Sequence, residues 1–455
     1  MRTSHQEQPS LPPITLAHSH AAELEAISVL LDEHPTIAEL ATQALVPRGK
    51  SRRLGAEGMS GDQVVRATIL RQIIGCSYDA LAFHLQDSMT YQRFCRIGLG
   101  DNPPKKSTLA RNIKRLGAEI WEAINWVILK AARERDVEKG RKVRVDCTAV
   151  DTPIHDPTDN SLLADAVRVL ARLLASARQY CDFKFHNRTR RAKRRSLAVQ
   201  NAKKAPERKR AYRQLLVAAR ETIQYVEGSL APLRAAAEDN GMLSWKEQMV
   251  VLGLLEELTH YLPLAQQVVT QTERRVLNGE KLSPDDKIVS LFEEHTDIIV
   301  KDRRETLYGH KICLSTGPSS LILDCVVLDG NPADSTLVEE MLERHERIFG
   351  RPPRQAAFDG GFASKANVTA AKNAGVKDIC FSKRRGIDIS DMAKSTWVYK
   401  RLKRFRAGIE GCISFLKRCF GLDRCRWRSK RSFDSYVKVG VVACNLLILA
   451  RHALA

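Results

Sequence analysis

The sequence predicts an α/β protein with a helical N-terminal domain and a long helical insertion. Three observations carry this. Apolar and polar residues alternate with a period of two at Lys142–Val150. Helical periodicity runs through residues 161–277. After Pro284, strand-like and helix-like segments alternate to the end of the chain. Periods of 2.0 and 3.6 are what a half-buried strand and an amphipathic helix impose on sequence.

Residues 1–20 read as a loose tail. From Ala21 to about Lys139 the pattern is helical, with helices expected at Ala22–Leu31, Asp62–Ile74 after the capping residue Ser60, Tyr78–Leu85 and Thr108–Leu116. The last of these has Leu109, Ile113 and Leu116 on one face. Arg111, Lys114 and Arg115 lie elsewhere on it, and Lys105 and Lys106 precede it. Such a helix can lie along DNA, and an ordinary amphipathic helix with a solvated basic face has the same pattern. The stretch between Leu85 and Ser107 is too long for a tight helix-turn-helix.

In KVRVDCTAV, residues 142–150, Val143, Val145, Cys147 and Ala149 point one way, and Arg144, Asp146 and Thr148 the other. The helical block that follows contains KFHNRTRRAKRRS and AKKAPERKR, dense in cations and almost free of acids. Like charges this close repel unless an anion screens them, which favours a phosphate-tracking arm over a solvated hairpin. Strands are expected at Ile298–Val300, His310–Leu314 and Leu321–Leu328, then a helix at Asp334–Phe349. A buried strand in RQAAFDGGF ends at Asp359 and is followed by a helix at Lys365–Ala374. A strand at Lys377–Phe381 and helices at Phe405–Phe420 and Phe433–His452 complete the chain.

Lys and Arg outnumber Asp and Glu by 73 to 53, a formal charge of +20. Such an excess repels itself and calls for an anionic partner, with nucleic acid first because phosphate neutralisation releases counterions. The apolar share of 44% excludes a disordered chain. The eleven cysteines, including Cys412, Cys419 and Cys425, lack the spacing of zinc ligands and suit a reducing cytosol. The N-terminus carries no apolar stretch of a signal peptide. No segment reads as the roughly 20 apolar residues of a membrane span, since Lys438 and Asn445 interrupt the run Val437–Leu449. The expectation is a cytoplasmic protein associated with the nucleoid through DNA.

Asp146 stands mid-strand, where a charge is costly without a partner or a metal. Asp359 ends an apolar strand, although Asp-Gly is also a common turn pair. At about 100° per residue, Arg406, Glu410 and Lys417 fall on one stripe of a helix beside a buried face of Phe405, Ile409, Cys412, Leu416 and Phe420. An intrahelical ion pair accounts for Arg406 and Glu410 but leaves Lys417 without a local carboxylate. A metal-binding glutamate between phosphate-gripping cations accounts for all three.

That spacing, R-x3-E-x6-K, occurs here as RAGIEGCISFLK and resembles the C-terminal signature of DDE transposases of bacterial insertion sequences. Lys403 stands where the signature often has tyrosine. VDCTAVDTPIHDPTDNSLLADAVRVL resembles the family's first-aspartate region, AAFDGGFAS its second-aspartate strand, and LYGHKICLSTG and LILDCVVLDGNPAD the strands between. MSGDQVVRATILRQIIGCSYDALAFHL resembles the helical domain that precedes such cores. The likeness runs from about Met59 to the end and is nearest the not-yet-classified group within the IS4/IS5-like superfamily.

The resemblance implies a ribonuclease-H-like mixed sheet. Residues 140–160 and 285–455 would form this catalytic domain, 21–139 an N-terminal helical DNA-binding and assembly domain, and 161–284 a basic helical insertion. It also implies two Mg²⁺ ions, for which Mn²⁺ can substitute, held by Asp146, Asp359 and Glu410. Arg406 and Lys417 would grip DNA phosphates, as would Lys105, Lys106, Arg111, Lys114 and Arg115. The activity implied is cleavage at insertion-sequence ends followed by strand transfer into target DNA, by a homodimer or larger assembly on DNA. A non-catalytic DNA-binding derivative and a nuclease without strand transfer are the alternatives.

Overall fold

The computed structural model describes residues 16–46, 58–98, 101–238, 243–301 and 305–455; most of the expected N-terminal tail lies outside these. Seven helices come first: α1 (Ser19–Glu33), α2 (Thr36–Leu45), α3 (Gly61–Ile74), α4 (Tyr78–Asp87), α5 (Met89–Phe94), α6 (Lys106–Ile113) and α7 (Ala118–Glu134). Strand β1 (Lys142–Asp151) leads into α8 (Asp159–Ala177), α9 (Thr189–Asn201), α10 (Ala205–Glu238) and α11 (Trp245–Thr272). Then come β2 (Asp297–Lys301), β3 (Glu305–Thr316), β4 (Ile322–Val327), α12 (Val338–Phe349), β5 (Gln355–Phe358), α13 (Lys365–Asn373) and β6 (Asp378–Phe381). The chain closes with α14 (Ile389–Met392), α15 (Thr396–Phe420) and α16 (Lys430–Leu454).

The chain divides into two compact units, residues 1–151 with 311–455, and residues 152–310. The first is a mixed α/β unit. Its strands lie in the order β4–β3–β1–β5–β6. β1 pairs with β5 in parallel, Lys142 opposite Gln355 and Val145 opposite Phe358, and β5 pairs with β6 in parallel. β3 and β4 are antiparallel, with a register shift at Ser315/Thr316. One hydrophobic cluster runs from Leu24 and Ile27 in α1 through the sheet to α15 and α16, with Trp121, Phe358, Phe381, Phe420 and Phe433 fully buried. Residue 139 therefore marks no break in packing.

Local signals explain the element ends. Ser60 and Gln63 form a reciprocal capping box at the start of α3. Ser395 caps α15 through the Val398 N–H, and Gly421 ends that helix in the left-handed conformation, at φ +66°. α15 begins nine residues before the expected Phe405. Val398, Tyr399 and Leu402 carry its buried stripe back through a stretch whose many cations hide the period. α6 stops at Ile113, although Leu116 is still buried. The helix expected from Asp334 opens as a 3₁₀ turn, Asp334–Thr336, before α12.

α16 corrects one expectation: by length and composition it could cross a membrane. Its most apolar window is 67% buried inside the protein, as a core helix requires. Its two polar interruptions are structural. Asn445 donates to Asn125 Oδ1 (2.7 Å) and Ile322 O (2.8 Å) and accepts from Ile322 N (2.8 Å). Lys438 Nζ lies 3.4 Å from Glu122 and donates to Cys325 O. Glu122 and the buried Asp324 in turn flank Arg344, so α7, β4, α12 and α16 meet at one charged knot.

The second unit is mainly helical. α8, α10 and α11 pack around a core of its own, including Leu163, Leu174, Leu215, Val226, Val251 and Leu258. Thr158 and Ser161 cap α8, and Ser244 and Glu247 cap α11. At its end, β2 pairs antiparallel with the first residues of β3, Asp297 opposite Gly309. Its limits, 152–310, are wider than the expected insertion of 161–284.

Candidate active site

The three carboxylates singled out in the sequence come from three elements of the first unit. Asp146 is the fifth residue of β1, Asp359 follows the last residue of β5, and Glu410 lies in the second half of α15. Because β1 and β5 are parallel neighbours with Val145 opposite Phe358, Asp146 and Asp359 sit side by side where β5 ends, in the middle of the sheet. α15 packs across both strands.

A single guanidinium joins the three. Arg406 Nη2 lies 2.8 Å from Asp146 Oδ2 and 3.0 Å from Asp359 Oδ1, while its Nη1 lies 2.9 Å from Glu410 Oε1. Arg406 and Asp146 are largely buried, with side-chain exposures of 14% and 15%, whereas Glu410 is 67% exposed. The site is thus open on the glutamate side and closed at the strand. Arg406 was expected to grip phosphate; here it is engaged by carboxylates.

Neighbouring groups fix the two aspartates. Asp146 Oδ1 accepts the Cys147 N–H at 2.9 Å. Asp359 Oδ1 accepts the Ser382 hydroxyl at 2.7 Å, from the residue just after β6. Burial raises the Asp146 pKa to about 6. Arg406 and the Cys147 N–H oppose that rise, and the charges of Asp359 and Asp334 add to it. Asp359 shifts the other way: burial raises it, but Ser382, the Gly360 and Gly361 N–H groups and Arg406 together hold it below the usual carboxylate value.

Two residues at the site escaped the sequence reading. Arg144 shares the face of Asp146 and was given no role, yet it is buried. Its guanidinium donates to Thr316 Oγ1 (2.7 Å) and Phe405 O (3.0 Å) and stacks 4.8 Å from the Phe405 ring. It thereby clamps β1 to β3 and α15. Asp334, held by Lys311 at 2.5 Å, is the acidic residue whose charge reaches Asp146. An arginine between Val143 and Val145 of an apolar strand was a usable signal for the first; Asp334, at the start of an expected helix, carried none.

Lys417 does not join the trio. Its Nζ lies 4.0 Å from Asp423 Oδ1, a partner just beyond the helix end that the sequence reading overlooked. Lys105, Lys106, Arg111, Lys114 and Arg115 are all exposed around α6. Lys106 pairs with Asp79 at 3.2 Å, and Arg115 donates to Leu45 O at 3.4 Å. Cys412 and Cys425 are buried and Cys419 is exposed, all three as free thiols.

Carboxylate oxygens are the donors that hard divalent cations prefer, so the chemistry of Asp146, Asp359 and Glu410 fits Mg²⁺ or Mn²⁺. The space between them is taken by Arg406. Among the described residues no group of three His, Cys, Asp or Glu side chains stands at metal-holding spacing.

Residues 288–446 match the family described as Transposase DDE domain, and residues 15–115 match the family described as Transposase domain (DUF772). Comparison with curated proteins and with solved structures gives no match. The first family spans Asp359, Arg406, Glu410 and Lys417. Asp146 lies outside it, separated by the second unit, and its side chain reaches the others through Arg406. The two matched families identify the chain as a DNA-cleaving DDE transposase of insertion sequences, of the IS4/IS5-like kind.

Proposed function

We propose that this transposase cleaves DNA at the ends of an insertion sequence and joins the freed 3′ ends to target DNA, using Asp146, Asp359 and Glu410 on a ribonuclease-H-like sheet. The observation that carries the assignment is the reach of one guanidinium to all three carboxylates, which come from positions up to 264 residues apart in the sequence. DDE transposases are in general dependent on divalent metal. When bound, a pair of such ions would stabilise the attacking and leaving oxygens of an in-line displacement.

The chain's own residues would do the rest. Asp146, Asp359 and Glu410 hold the ions, with the Cys147 N–H and the Ser382 hydroxyl orienting the two aspartates. Arg406 and Lys417, on the same helix, position the DNA strand through its phosphates without reading bases. The N-terminal helices, with the exposed cations around α6, bind DNA and support assembly of a homodimer or larger complex. The basic α9 region of the second unit tracks phosphates. The protein acts on DNA inside the cell.

The test is a pre-cut, labelled element end offered with Mg²⁺ and target plasmid. A labelled end joined to the plasmid is the expected product. Fragments without joined product would mean a nuclease, and no reaction with DNA still bound would mean a non-catalytic derivative.

A further inference from the structure

The position of Arg406 is odd for a residue whose task is to hold a phosphate. Of its donors, Nη1 and Nη2 are spent on three carboxylates. Its Nε is buried with no hydrogen-bond partner among the described residues. Two nearby cations are committed elsewhere: Arg144 to Thr316 and the Phe405 carbonyl, and Lys311 to Asp334 and the Pro332 carbonyl. Oxygens of Asp146 and Asp359 lie 2.8 and 3.0 Å from one nitrogen, so they are within a short span of each other, and two anions so close need a cation between them. A divalent ion on those oxygens and the guanidinium cannot share the space.

We propose that Arg406 is the resident counter-ion of the carboxylate site: it holds Asp146, Asp359 and Glu410 together in the metal-free enzyme, and a divalent cation binds only by displacing it. This rests on the metal-site reading above and adds a competition to it. The displaced guanidinium lies on a helix whose glutamate side is open to solvent, so metal entry and the release of a phosphate-binding arginine become one event. Linkage then follows: whatever draws Arg406 off the carboxylates, a DNA phosphate included, must strengthen metal binding by the same factor by which metal strengthens that contact.

The experiment is calorimetric titration of Mn²⁺ into the full-length, DNA-free protein, with thermal unfolding at each Mn²⁺ concentration as a second readout. Compared are wild type, Arg406→Gln, Arg406→Lys and Asp146→Asn. Removing the competing cation should tighten Mn²⁺ binding at least tenfold in Arg406→Gln. Arg406→Lys, which keeps the charge but bridges fewer oxygens, should lie between. The glutamine variant should unfold at lower temperature than wild type without metal and recover when Mn²⁺ is added. If it does not fold without metal, the lysine variant carries the same comparison, with a threefold gain expected. Mn²⁺ binding that Asp146→Asn abolishes but that neither Arg406 variant strengthens overturns the competition and leaves the metal site standing. Mn²⁺ binding absent from every variant, or unaffected by Asp146→Asn, overturns the metal site and the competition together.

Discussion

The guanidinium of Arg144 fills the space that a Cβ on Gly408 would need. Arg144 stands two residues before Asp146 on β1, and Gly408 two residues before Glu410 on α15. The absence of a side chain at one position thus sets how closely β1 and α15 approach. Gly408→Ala should push α15 away from β1 and lower cleavage at least tenfold while DNA affinity holds. A Cβ on Gly411, on the same helix, would meet nothing within 4 Å. Gly411→Ala should therefore stabilise the protein by about 0.5–1 kcal/mol and keep cleavage. Equal cleavage by the two variants would show that the approach of β1 to α15 does not matter.

Arg344 is the hub of the buried charges, facing Asp324 on β4 and Glu122 on α7. Arg344→Met leaves the buried Asp324 without its cation, while Glu122 keeps Lys438, and should cost about 3–5 kcal/mol in urea unfolding. Adding Asp324→Leu should recover part of that loss. A cost below about 1 kcal/mol would mean that water reaches the knot.

The site also sets a pH dependence in the metal-free protein. Burial raises Asp146 to about 6 from an ordinary value of 3.8, so the folded state binds its proton more tightly than the unfolded state does. Its ionisation opposes folding above pH 6, and that penalty is relieved as pH falls from 6 to below 3.8. Asp146→Asn removes the effect. The stability of wild type relative to this variant should rise by on the order of 2 kcal/mol as pH falls from 7 to 4.5. A fall over that range would show that the Arg406 pairing outweighs burial. His345, pushed down to about 4 by burial, works the other way in both proteins: its contribution is full above pH 6.5 and is lost as pH falls toward 4.

Arg190, Lys193 and Arg194 form an exposed i, i+3, i+4 stripe on α9, and none is in an ion pair among the described residues. If they follow DNA phosphates, changing all three to Gln should flatten the slope of log Kobs against log salt by roughly 0.9 for each phosphate no longer neutralised. An unchanged slope would make the stripe a solvated surface.

The sequence exposed the site through spacing and left its inner geometry hidden. β1 and the strand before Asp359 were legible because period-two patterns survive any tertiary arrangement. Glu410 was legible because Arg406 and Lys417 flank it at helical intervals. The partners those cations choose depend on which strands face α15, which no local pattern encodes. So neither the reach of Arg406 to three carboxylates nor the pairing of Lys417 with Asp423 was visible. Arg144 was given no role because alternation identifies a face, not what covers it. α15 started earlier than expected because cations on its outer side masked the stripe of Val398, Tyr399 and Leu402.

The most direct measurement uses a supercoiled plasmid carrying the element's own ends, incubated with Mg²⁺ and either wild type, Asp146→Asn, Asp359→Asn or Glu410→Gln. Each variant should bind the ends like wild type in a gel shift and cut them no faster than background. Cutting at the wild-type rate by any one of the three would contradict a shared three-carboxylate site.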